Sequence, residues 1–105
     1  MENNLPKGFS TFDVAEHLET DADIAAYLGA LMDEGDEKAI IAGLGHVARA
    51  KGMTQIAKDA GLGRASLYKA LAEGGNPEFV TVMKVARAVG VKFVPVPINP
   101  EPEHA

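Results

Sequence analysis

Arg64, Ser66, Tyr68 and Lys69 lie within six consecutive residues and have the types and spacing of a nucleic-acid contact surface. On a helix that starts near Arg64, the residues Arg64, Ala65, Tyr68 and Lys69 share the outward face, because side chains three and four apart are neighbours. An arginine at the start of such a helix can pair in two-pronged fashion with O6 and N7 of guanine, or it can clamp a phosphate. Tyr68, one turn on, can reach a base edge or lie half-buried in its own domain. Lys69 is placed for the phosphate backbone. Ser66 suits a phosphate contact, and Gly63 leads the chain into the helix. Upstream, Thr54 has the character of an N-cap. Gln55, the first residue of a preceding helix, could bind phosphate together with that helix's N-terminus.

Other chemistries lack their residues. His17, His46 and His104 are scattered and have no metal-ligand spacing with one another or with a carboxylate pair. Ser66 has no His–Asp set at a recognisable spacing. Gly43-Leu44-Gly45 has neither the preceding strand nor the third glycine of a phosphate-binding loop. The chain has no cysteine, which removes disulfides and thiolate metal sites. A protein that is not an enzyme and has no cofactor is expected.

Presenting Arg64 to a DNA duplex requires two short helices that meet at a steep angle, a helix-turn-helix running from Met53 to about Glu73. The first helix, Gln55 to Ala60, needs a small side chain where the second crosses it, and Ala57 is small. The turn needs a residue free to take positive φ, and Gly61 follows four residues later. Leu62, Leu67 and Ala70 then face inward, and the second helix runs to about Ala72, where Gly74-Gly75 ends it.

Helical signals surround this pair. Asp13 can cap a short helix through His17 or Leu18, with Phe12 as an apolar staple. Thr20 and Asp23 have capping-box spacing before the periodic residues Ile24, Tyr27, Leu28, Leu31 and Met32, and Gly35 stops that run. Asp36 opens a helix with the apolar stripe Ile40, Ile41, Leu44, Val47 and Ala48, closed by Gly52. Its internal Gly43 and Gly45 reflect either close approach of a neighbour or simple tolerance. Asn76-Pro77 signals another start, with Phe79, Val82, Met83, Val85, Ala86 and Val89 as the buried face and Gly90 as the stop. Val91 to Val96 alternates as a short strand would, confined to an edge by Pro95 and Pro97. The expected fold is all-α, a bundle of about five to six helices with a short C-terminal extended strand. Residues 1–12 are expected to be a flexible start, 13–97 the helical domain and 98–105 a disordered tail.

The 105 residues suit one compact domain with a modest core. Net charge is -5, but the distribution is polar. Met1 to His46 holds ten acids against two lysines, whereas Val47 to Leu71 holds five bases and one acid. One part suits phosphate and another a cationic partner; two solvated faces are the plainer alternative. Neither a signal peptide nor an apolar run of membrane-spanning length is visible, so no membrane association and a cytoplasmic location are expected. One domain presents few cations, so a specific site calls for a homodimer with two recognition helices about 34 Å apart. The apolar edge Val91, Phe93, Val94 and Val96, with the helix before it, is the candidate dimer contact, unless these residues only cover the monomer's own core.

The stretch GMTQIAKDAGLGRASLYKALAEGGNPEFVTVMKVARAVGVKF resembles the Xre/Cro-type helix-turn-helix. More narrowly, with FDVAEHLETDADIAAYLGALMDEGDEKAIIAGLGHVARAKGM before it, the chain from Phe12 to about Val94 resembles the HigA-like addiction module antidote proteins. Leu71 stands where the wider Xre family often has Glu. The resemblance implies an antitoxin that binds a small basic toxin of RelE/ParE type and, at operator DNA, represses the operon encoding both. A stand-alone phage-type repressor and a protein-interaction module that uses the fold without DNA are the alternatives.

Overall fold

The computed structural model describes residues 18–99 and is all-helical there, with five helices. These are α1 (Asp21–Glu34), α2 (Glu37–Lys51), α3 (Met53–Ala60), α4 (Arg64–Ala70) and α5 (Phe79–Val89). The helix expected from Asp13 lies outside the described residues, apart from its far end at Leu18, which is buried.

The capping box is complete. Thr20 Oγ1 accepts from the Asp23 amide at 3.0 Å, and Asp23 Oδ2 accepts from the Thr20 amide at 3.1 Å. Gly35 takes the left-handed conformation and donates its amide to the Met32 carbonyl, which ends α1. Asp36 then caps α2 by accepting from the amides of Lys38 and Ala39. With only Gly35 and Asp36 between them, α1 and α2 pack side by side, and α2 also meets α3 and α5. Ile24, Leu28, Leu31, Leu44, Val47, Ile56, Leu67, Val85 and Val89 are fully buried and form one core contributed by all five helices.

The two glycines inside α2 have a packing reason. A side chain at Gly43 would run into Leu31 Cδ1 of α1. At Gly45 it would stand 3.2 Å from the carbonyl oxygen of Leu71, just past α4. Helix propensity is given up at both places so that a neighbour can lie against the backbone of α2. Close approach, not tolerance, accounts for them.

Several local expectations are corrected. Helix α3 begins at Met53, not Gln55, with Gly52 as its N-cap, and Thr54 makes no capping bond. Met53 is buried with Ile56, Ala57 and Ala60, so the apolar face takes the helix back past Thr54. Helix α4 stops at Ala70, two residues early. Helix α5 starts at Phe79 with Glu78 as N-cap, leaving Asn76-Pro77 in the preceding loop. Phe79 itself is 73% exposed, because the buried face of α5 is made by Val85, Ala86 and Val89 further along. The strand expected over Val91 to Val96 is absent, and no strand forms among the described residues. A ladder needs a second extended segment, and Pro95 and Pro97 offer it no amide hydrogens.

Candidate nucleic-acid interface

The junction of α3 and α4 is built from its glycine outward. Gly61 has φ 73° and ψ 32° and donates to the Lys58 carbonyl at 3.2 Å, while the Leu62 amide reaches back to Ala57 at 2.9 Å. These two bonds form a Schellman closure, which satisfies the last carbonyls of α3 and turns the chain sharply away. Leu62 is half-buried against the core, as that closure favours. Gly63 is extended and leads directly into α4.

Leu67 is the one fully buried residue of α4, and Leu71, just beyond, is 2% exposed. Ala70, expected inside, is only half-buried. Two leucines spaced by one turn therefore hold the helix, each contributing on the order of 1.5–3 kcal/mol by burial. Every other expected contact residue of α4 is free to face outward: Arg64, Ala65, Ser66, Tyr68 and Lys69 are all exposed. The Arg64 guanidinium lies over the Tyr68 ring, 5.5 Å from its centroid. This cation–π contact at helical i, i+4 spacing keeps the arginine on the outer face and leaves its charge uncancelled. The spacing was visible in the sequence, yet the pairing was not foreseen.

On α3, Thr54, Gln55 and Lys58 are exposed. Gln55 is partly committed, since its Nε2 donates to Asp59 Oδ1 at 2.8 Å. That bond occupies the one carboxylate on the α3–α4 segment and leaves the side-chain oxygen of Gln55 free to accept. The structure therefore brings Arg64, Tyr68 and Lys69 together on α4. Thr54 and Gln55 sit at the start of the neighbouring helix, Thr54 without the capping role expected of it.

Compared with known protein families, residues 8–97 match the family described as "Probable addiction module antidote protein". The chain belongs to this family. A protein of Haemophilus influenzae (strain ATCC 51907 / DSM 11121 / KW20 / Rd), described as "Uncharacterized protein", is 50% identical over 82 residues, which are 78% of this chain and 84% of that one. No solved structure matches the chain. Membership of an antidote family implies a cognate toxin as partner.

Away from α4, this antidote-family chain carries a polar pair that joins two helices and leaves no periodic trace in the sequence. Tyr27 Oη of α1 lies 3.2 Å from His46 Nδ1 of α2. Burial raises the Tyr27 phenol to about 12, so it keeps its proton across the neutral range. Burial, and secondarily the charge of Arg49, lowers the His46 pKa, which favours the neutral ring beside the phenol. The pair braces α1 to α2. Among the described residues no group of three or more His, Cys, Asp or Glu could hold a metal ion, and no helix is long and apolar enough to cross a membrane.

Proposed function

We propose that this chain is the antitoxin of a type II toxin–antitoxin module. It neutralises a RelE/ParE-like toxin by direct binding and represses its own operon from operator DNA. In this reading α3 and α4 are a helix-turn-helix of Xre/Cro type, as in HigA-like antidotes, with α4 in the major groove and α3 across the backbone. The observation that carries it is the Gly61 corner, which holds a seven-residue helix outward with Arg64, Tyr68 and Lys69 all exposed. Arg64 reads a base edge or clamps a phosphate, and Lys69 neutralises phosphate. Gln55 and Ser66 add neutral hydrogen bonds to the backbone. Nothing in the reading requires catalysis or a cofactor, and a cytoplasmic site of action follows from the DNA target.

Two copies are needed for a useful site. Each neutralised phosphate contributes only about -0.9 to the log–log salt slope, and one copy offers few cations. Phe79 and Val80, 73% and 57% exposed at the start of α5, supply an apolar contact for a homodimer on the helix already favoured for that role. The antidote family favours this reading over a stand-alone phage-type repressor.

The test is a gel-shift titration with the DNA upstream of the operon, at moderate salt, comparing wild type with the double variant Arg64→Ala/Lys69→Ala. Wild type should select its upstream DNA over random duplex, and the double variant should lose that selection. Absence of any sequence preference in wild type sinks the DNA-binding half of the proposal. Co-purification with the product of the adjacent reading frame tests the other half.

A further inference from the structure

We infer that the groove between α1 and the segment following α5 is where the cognate toxin docks, through an apolar side chain flanked by lysine or arginine. The inference deepens the antitoxin reading above and rests on it. The groove has a volume of about 430 Å³. Gly29 and Met32 form its α1 wall, and Val94 and Val96 form the wall opposite. Met32 is 40% exposed, Val94 65% and Val96 75%, so a contiguous apolar surface is left uncovered in the single chain.

Gly29 points the same way. It lies in the interior of α1, where glycine costs helix stability relative to alanine. Unlike Gly43, it has no neighbour to make room for, since a side chain there would meet nothing within 4 Å. No internal contact explains the missing side chain, whereas an incoming group laid against the helix backbone does.

Charge decides the occupant. Asp33 lines the groove at the end of α1, with Glu34 beside it, and the last turn of α1 holds no basic residue. Asp36 and Glu37 follow at once, already favoured by the positive N-terminus of α2, which leaves Asp33 and Glu34 as the acids without such support. Acids at a helix C-terminus sit against the negative end of the macrodipole, an arrangement that is unfavourable until a cation arrives. The described ion pair of the chain, Lys51 with Asp21, lies at the other end of α1. Lys92 is the one cation lining the groove. A second copy would bring to this acidic end only the single Lys92 of its own groove, and DNA would be repelled. A cationic protein segment is the occupant that both the apolar walls and the acidic end accept.

The experiment uses the full chain and the purified product of the adjacent reading frame as the binding partner. Gly29→Leu fills the groove without disturbing the core. Asp33→Lys/Glu34→Lys reverses the rim. Thermal melts and operator gel shifts confirm that each variant is folded. We expect Gly29→Leu to weaken the complex at least tenfold, in line with loss of one buried apolar anchor. The rim variant should slow association about tenfold at low salt, with the difference shrinking as salt rises. Wild-type binding that both variants retain undiminished overturns the groove while leaving the antitoxin reading in place. Failure of wild type to bind the partner at all overturns the antitoxin reading, and the groove with it. If light scattering shows that Gly29→Leu instead dissociates a dimer while toxin binding persists, the groove is a self-interface and the inference is wrong.

Discussion

Two glycines inside helices should answer the same substitution with opposite signs. Gly29→Ala adds a methyl into open space on α1, so it should gain the full difference in helix propensity, about 1 kcal/mol. Gly43→Ala gains the same propensity but places the methyl on Leu31 Cδ1, with Leu28 and Tyr27 side-chain atoms 3.5 Å away. Leu31 is fully buried, so its methyl would have to shift within a packed core to make room. Overpacking of this kind costs roughly 1–3 kcal/mol, so the net effect should be a loss of up to about 2 kcal/mol. For a domain of this size 1 kcal/mol moves the midpoint by about 4–8 °C. Thermal and urea unfolding followed by circular dichroism, at one fixed protein concentration, would read both variants. Leu31→Ala should lose roughly 2–5 kcal/mol alone, and Gly43→Ala should recover part of that loss when combined with it. Equal stabilisation by Gly29→Ala and Gly43→Ala, or strict additivity in the Leu31/Gly43 cycle, would refute the packing argument.

Leu67→Ala removes the fully buried anchor of α4 and should cost roughly 2–5 kcal/mol, measurable by urea unfolding. Arg64→Ala should relax sequence preference in a gel-shift competition, whereas Lys69→Ala should weaken all duplexes alike and flatten the salt slope by about 1 per phosphate lost. Equal effects of the two on specificity would make Arg64 a phosphate clamp and refute its role as a base reader. Burial and Arg49 hold the folded His46 below its ordinary 6.5, so the folded state binds fewer protons there. Its stability contribution is intact above pH 6.5 and lost as pH falls through the folded value. The stability gap between wild type and His46→Gln should therefore narrow on acidification, and a constant gap would disprove the linkage. Tyr27 runs the other way. With its folded value at about 12 against 10.0, stability is lost as pH rises between them, and Tyr27→Phe should abolish the latest phenolate absorbance step.

How far the sequence reached depended on whether a feature was local. Capping at Thr20 and Asp36, the stops at Gly35 and Gly90, and the corner at Gly61 each involve a few adjacent residues, and each was readable. Helix starts set by tertiary burial were not. Met53 draws α3 back by two residues because its side chain has a place in the core, and no pattern around Thr54 records that place. The Asn76-Pro77 signal has the right chemistry for a helix start, but the helix begins only at Phe79. Phe79 has the hydrophobicity of a core residue, and its exposure depends on where α5 meets α2 and α3. Of the candidate site, the outward positions of Arg64, Tyr68 and Lys69 were legible from helical spacing around Leu67. The bond between Gln55 and Asp59 and the stacking of Arg64 on Tyr68 are also i, i+4 pairs and could have been named. The pairing of Tyr27 with His46 spans two helices and could not.

Gly43 and Gly45 stand two residues apart on α2, and one receives Leu31 of α1 while the other receives the carbonyl of Leu71 behind α4. At Gly45 main chain meets main chain, and at Gly43 the end of the Leu31 side chain lies on the α2 backbone. Helix α2 is thus approached close to its backbone from two sides, so enlarging either glycine would disturb α1 or the end of α4.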